Sequence, residues 1–322
     1  MSPESSLSLF LGVWTDDIQA GASMARIPSF LYIGSSKSGS TWIFKLLSWH
    51  PQIYMYPGKH LGFFTRDFAK GWDWYLGNFK SGREHKVVGE ASHSYLLSEN
   101  ARDRIHECLP DVKLLVCLRE PVERTFSQYL DGIKNGKLNA SFAEELERNA
   151  TLINHSRYGT NLVRYLEKFP RENIFIASFD ELVSAPDKLA VRMFEFLGVD
   201  VLKIPEKLHR KVLPAGQPRV RSIAMAAKKL AKLTQRLGLV GLRGKAKTSP
   251  AVRNLLYRQF TDSSRPKMPP EIEARLRELM ADEVQRLDAV AGTDFCRLWN
   301  YPPADRRVQA KVDGSTVASN LT

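Results

Sequence analysis

Residues 34 to 41, Gly-Ser-Ser-Lys-Ser-Gly-Ser-Thr, carry the chemistry most readily read from this chain. They join an apolar run, FLYIG, to an amphipathic stretch, STWIFKLLS. A strand that turns through small residues into a helix makes an anion cradle. Gly34 and Gly39 allow the tight turn, the amides ahead of the helix point at the anion, and the helix dipole adds partial positive charge. Ser36, Lys37, Ser38, Gly39, Ser40, Thr41 and Trp42 are therefore the candidate donor-binding residues, and Lys37 can reach a bridging phosphate oxygen. The nucleoside-triphosphatase pattern GxxxxGK[ST] places its lysine directly after the second glycine. Ser40 stands there, and Lys37 precedes Gly39 by two positions. The spacing thus predicts a nucleotide with a short, differently activated 5′ group.

A second block, VKLLVCLREPVERTFSQYL (112 to 130), is another strand-to-helix junction. Arg119 ends the strand, Pro121 begins the helix, and Ser127 follows. A forked guanidinium and a hydroxyl suit a terminal phosphate. Taken alone, Arg119 also reads as a helix-start ion pair with Glu120 or Glu123. Two of the seven histidines sit near these blocks, His60 in YPGKHLGFF and His93 in GEASHSY. Histidine ordinarily titrates near pH 6.5, which suits removing a proton from an acceptor at neutral pH. Either could instead line a pocket.

Strand, K-[ST]-G-[ST]-[ST], helix resembles the 5′-phosphosulfate loop of sulfotransferases that use 3′-phosphoadenosine 5′-phosphosulfate (PAPS), with Lys37 to Thr41 in its positions. Residues 112 to 130 are similar to that family's 3′-phosphate element. The likeness extends through WDWY (72 to 75), GEASHSYL (89 to 96), residues 169 to 199 and the C-terminal FCRLW. It implies transfer of a sulfuryl group from PAPS, as co-substrate and without a metal, to a hydroxyl or amine of a small-molecule, glycan or glycolipid acceptor, with Lys37 catalytic. It also leaves the base open. YPGKHLGFF resembles the P-x-x-K-E-x-x-F-F element whose glutamate is the base in glycan-modifying members, and His60 replaces that glutamate. His93 is placed like the histidine base of the cytosolic aryl and steroid members. The runner-up is a P-loop kinase of a small molecule using ATP, for which Ser40 occupies the lysine's place.

These residues need a rigid frame. Strands are predicted at 30 to 34, 86 to 89, 112 to 118 and 173 to 178. Helices are predicted at 41 to 48, 99 to 107, 121 to 134, 142 to 148, 159 to 168, 180 to 183 and 186 to 197, with one more between Pro269–Pro270 and Gly292. Buried strands alternating with helices imply an α/β, P-loop-type three-layer fold, its mostly parallel sheet flanked by helices and its ligands at the strands' carboxyl ends.

The chain of 322 residues is 43% hydrophobic with six Trp, enough for one large enzyme core. We read 1 to 26 as an N-terminal extension, 27 to 302 as the catalytic domain and 303 to 322 as a disordered tail. No apolar run reaches the roughly 18 residues of a membrane span. Three cysteines without metal-ligand spacing suit a reducing compartment, and the location expected is cytoplasmic. Residues 203 to 267 hold seventeen Lys and Arg against Glu206 and Asp262, a net charge above the whole-chain +12. Within them, 221 to 242 reads as a basic amphipathic helix: a lid over the donor, a substrate wall, a peripheral membrane contact or a solvated face. No aromatic interleaving supports nucleic-acid binding.

Overall fold

In the computed structural model, residues 26–209 and 266–303 are described, together with the backbone of two short strands between them. The strands are β1 (Phe30–Gly34), β2 (Ile53–Met55), β3 (Val87–Ala91), β4 (Lys113–Leu118), β5 (Ile174–Ser178), β6 (Gly216–Pro218) and β7 (Tyr257–Gln259). The helices are α1 (Ser40–Trp49), α2 (Trp72–Gly77), α3 (Glu99–Cys108), α4 (Pro121–Lys134), α5 (Phe142–Arg148), α6 (Ala150–Asn154), α7 (Tyr158–Leu166), α8 (Phe179–Ser184), α9 (Pro186–Leu197), α10 (Pro270–Ala291) and α11 (Phe295–Leu298).

The first five strands form one sheet in the order β2-β3-β1-β4-β5, and every pairing in it is parallel. Alternate side chains leave opposite faces of a strand, so each strand feeds two cores. Leu31 and Ile33 of β1 join Leu114, Val116, Ile174 and Ile176 on one face, under residues of α3, α4, α7 and α10. Phe30 and Tyr32 join Leu115, Cys117, Phe175 and Ala177 on the other, under α1 and α9. Strands covered on both faces need no polar alternation, which is why they read as continuous apolar runs. Leu46 and Leu47 of α1 are fully buried, each worth about 1.5–3 kcal/mol of transfer free energy.

β1, β4 and β5 match the predicted strands to within one residue, and β3 runs two residues past its expected end. β2 and α2 were absent from the sequence reading. The basic amphipathic stretch 221 to 242 lies outside the described residues, as do 1 to 25 and 304 to 322. Of the region between, β6 and β7 are described, paired antiparallel as a two-stranded ribbon.

The C-terminal elements brace the sheet's carboxyl edge. Glu283 of α10 is buried and accepts hydrogen bonds from the Thr160 N–H (2.7 Å) and hydroxyl (2.8 Å) of α7. Asp288 accepts from the amides of Phe295 (2.8 Å) and Cys296 (2.7 Å), which turns the chain into α11. Beyond α11, the Tyr301 hydroxyl donates to Glu120 Oε1 at 2.6 Å, while Glu120 Oε2 caps α4 by accepting from the Glu123 N–H at 2.6 Å. The chain's end therefore holds the corner where β4 becomes α4.

Candidate active site

β1 is the middle strand, and its carboxyl end opens into the 34–41 loop. The loop is anchored from below. The Ser35 N–H donates to Cys117 O on β4 (2.9 Å), and Ser35 Oγ lies 2.7 Å from Ser38 Oγ, both serines being buried. Lys37 and Gly39 take left-handed backbone angles, φ 68° and 85°. Glycine is required at the second of these for two reasons. A Cβ at Gly39 would fall 2.5 Å from Leu182 Cδ1 of α8, and the backbone region itself excludes most side chains. Lys37 adopts that region without such an exemption, a cost of about 1 kcal/mol or more typical of functional turns. Gly39 O closes the first turn of α1 by accepting from the Trp42 N–H at 2.8 Å. The amides from Ser36 to Thr41 find no acceptor among the described residues, so the loop leaves a run of N–H groups available at a helix N-terminus.

The side chains of the loop divide into two sets. Ser38 faces the interior and offers an anion only its backbone. Trp42, expected at the donor, has its ring packed in the core beside the loop, its Nε1–H donating to Leu208 O at 2.6 Å. Lys37 Nζ pairs with Asp131 Oδ1 of α4 at 3.3 Å. A second ammonium arrives from outside the loop. Lys59 Nζ donates to Thr41 Oγ1 at 3.0 Å and Ser40 Oγ at 3.2 Å. Its place beside the loop is not read from the sequence, though it is the lysine directly before His60 in YPGKHLGFF.

Both candidate bases prove to be in contact. His60 Nδ1 and His93 Nδ1 are 2.6 Å apart, with the rings edge-on at 4.0 Å between centroids. His60 is exposed and held at φ 65° by its N–H to Ala91 O (2.7 Å); His93 is half-buried. Burial, reinforced by the positive charges of Lys59 and Lys37, pulls His93 down to about 4. His93 is therefore neutral at physiological pH, and only one proton is needed between the two Nδ1 atoms. His155, just past α6, is pulled down to about 3 by burial and by the charges of Arg124 and His93.

Beneath this pair lies a buried carboxyl. Glu90 of β3 accepts from the hydroxyls of Tyr95 (2.5 Å), Ser92 (2.6 Å) and Tyr75 (3.5 Å), and burial outweighs these donors to push it up to about 7. Ser92 Oγ in turn accepts from the Gly62 N–H (2.9 Å), so Glu90 supports the turn that follows His60.

At the neighbouring strand end, Arg119 makes the ion pair that its bland reading foresaw, Nη2 to Glu123 Oε2 at 2.9 Å, and lies over the Phe179 ring at 4.9 Å. Its backbone is clamped by Tyr158, whose hydroxyl donates to Arg119 O at 2.9 Å. Ser127 is half-buried two turns into α4. The sheet order makes β4 adjacent to β1, which brings this corner beside the loop.

A parallel α/β sandwich whose central strand runs through a glycine- and serine-rich loop into a helix is the architecture of the P-loop type. The chain belongs to the sulfotransferase family: residues 28–288 match the sulfotransferase domain. It is 34% identical over 146 residues to the membrane-associated sulfotransferase kil1 of Dictyostelium discoideum, covering 41% of this chain and 31% of that one. It is 30% identical over 189 residues to the mouse heparan sulfate glucosamine 3-O-sulfotransferase 3B1, covering 56% and 48%. The matched region thus spans about half or less of these curated relatives. The crystal structure of a sulfotransferase from Alicyclobacillus acidocaldarius shares the fold, with a TM-score of 0.63 at 24% identity over 85% of this chain and 99% of that one. Among the described residues no helix is long and apolar enough to cross a membrane.

Proposed function

We propose that the protein transfers the sulfuryl group of PAPS to a hydroxyl, with the 34–41 loop holding the 5′-phosphosulfate and Arg119 and Ser127 the 3′-phosphate. The observation that carries this reading is Lys59 held on the hydroxyls of Ser40 and Thr41, beside loop amides without acceptors among the described residues, in a chain of the sulfotransferase family. The loop amides and Lys59, anchored on Ser40 and Thr41, would face the donor's anionic oxygens. Lys37 exchanges Asp131 for the bridging oxygen and neutralises it as the S–O bond breaks. That interaction strengthens toward the transition state and so accelerates the transfer.

His60 is the base in this reading. With its Nδ1–H donated to the neutral His93, Nε2 is the nitrogen that would take the acceptor's proton. The positive charge formed on His60 is shared across the 2.6 Å contact. This places a histidine where relatives of the glycan-modifying kind carry a glutamate. A sugar or small-molecule hydroxyl is the acceptor class favoured, since relatives named as glucosamine 3-O-sulfotransferases share over half of this chain.

Calorimetry with adenosine 3′,5′-bisphosphate against ATP·Mg²⁺ tests the donor. Binding of the bisphosphate with little or no affinity for ATP is the expected result. The reverse preference would establish a kinase instead.

A further inference from the structure

Arg124, in the first turns of α4, is a cation with none of its surface exposed. Its side chain makes four hydrogen bonds, all to neutral acceptors. Nε donates to Ser156 Oγ (2.5 Å), Nη2 to Leu152 O (2.5 Å), and Nη1 to Gln128 Oε1 (2.5 Å) and Ser36 Oγ (3.4 Å). No carboxylate pairs with it among the described residues. Taking a charge out of water without a counter-charge is among the most costly arrangements in a fold, and it leaves an electrostatic demand for an anion nearby. The guanidinium stays protonated at neutral pH: burial, opposed by Tyr158 and aided by Arg119, pulls it down only to about 10. Through Ser36 it reaches into the candidate donor loop.

We propose that Arg124 is a positioning residue of the donor site, whose buried charge is balanced by the donor's phosphates and whose Nη1 tethers Ser36 so that the loop amides keep their direction. The ligand class is a dianionic or more highly charged nucleotide phosphate. This inference rests on the loop being the donor site. A purely structural hub would make a different prediction, because four neutral acceptors need donors but no net charge.

The test compares full-length wild type with Arg124→Met, Arg124→Lys and Ser36→Ala, using adenosine 3′,5′-bisphosphate as the probe in calorimetry and in thermal unfolding with and without it. Arg124→Met should lose about tenfold or more in affinity, the usual scale of a charge-assisted contact. Its bisphosphate-induced rise in melting midpoint should shrink accordingly, while Arg124→Lys, keeping the charge, recovers most of the affinity. Ser36→Ala should lose about threefold or more through the tether alone. A folded Arg124→Met that binds within twofold of wild type overturns the proposal. So does Arg124→Lys losing as much as Arg124→Met at an unchanged melting midpoint. If Arg124→Met does not fold, Ser36→Ala decides, and wild-type affinity there overturns it. Wild type failing to bind the bisphosphate is a separate outcome, which sinks the donor assignment itself.

Discussion

The proposed transfer gives each candidate site residue a separable task. Lys37 is held 3.3 Å from Asp131 with both groups partly exposed, so the pair contributes little on its own, about 0–1 kcal/mol. Removing the competitor with Asp131→Asn should therefore change bisphosphate affinity by less than about fivefold. Lys37→Ala should reduce turnover far more than donor affinity, because its ammonium acts where charge develops; near-normal turnover with weakened binding would remove its catalytic role. For the histidine pair, His60→Ala should cost about 10²- to 10⁴-fold in rate with bisphosphate binding intact. His93→Ala should be milder, since it removes the partner of Nδ1 but leaves Nε2. A reversed ranking in a steady-state assay assigns the base to His93.

Elements set the site by where strands end. The corner between β4 and α4 is fixed by Glu120, Tyr158 and Tyr301 without the Arg119 side chain, so Arg119→Ala should leave folding nearly intact. It should also cost about 2–3 kcal/mol of binding to nucleotides carrying a 3′-phosphate. Wild type and variant discriminating equally between bisphosphate and 5′-monophosphate would refute the assignment. Gly39→Ala should abolish donor binding, since the Cβ has neither a permitted φ nor room beside Leu182. Much of this frame was legible because β1, β4 and α4 are local patterns: an apolar run, small residues or an Arg-Glu-Pro turn, then helical periodicity. β2 escaped because its three residues, Ile53–Met55, carry too short a pattern to read. Lys59 and Arg124 escaped because most of their partners lie 18 to 88 positions away, and Glu90 because its burial comes from packing across the sheet; no local spacing encodes either. For Trp42, its place after Thr41 suggested a donor contact, yet an aromatic on the inner face of α1 is drawn into the core.

For the molecule as a whole, buried ionisable groups tie stability to pH with opposite signs. Glu90 is raised from 4.5 to about 7, so the unfolded chain releases its proton first, and the stability it lends below about pH 4.5 fades as pH rises through 7. His93 and His155 are lowered to about 4 and 3. Their contribution is complete above the ordinary histidine value of 6.5 and is lost as pH falls through the folded values. The difference in melting midpoint between wild type and Glu90→Gln should therefore drift steadily against wild type between pH 5 and 7. A constant difference would mean that Glu90 titrates as an ordinary carboxyl. The strand order has a further consequence, for biogenesis. β1 emerges from the ribosome early but lies between β3 and β4, whose pairing residues come 59 or more positions later. Until then it is an apolar segment with two open edges, so nascent chains halted before Leu118 should be the form most dependent on chaperones and most prone to aggregate.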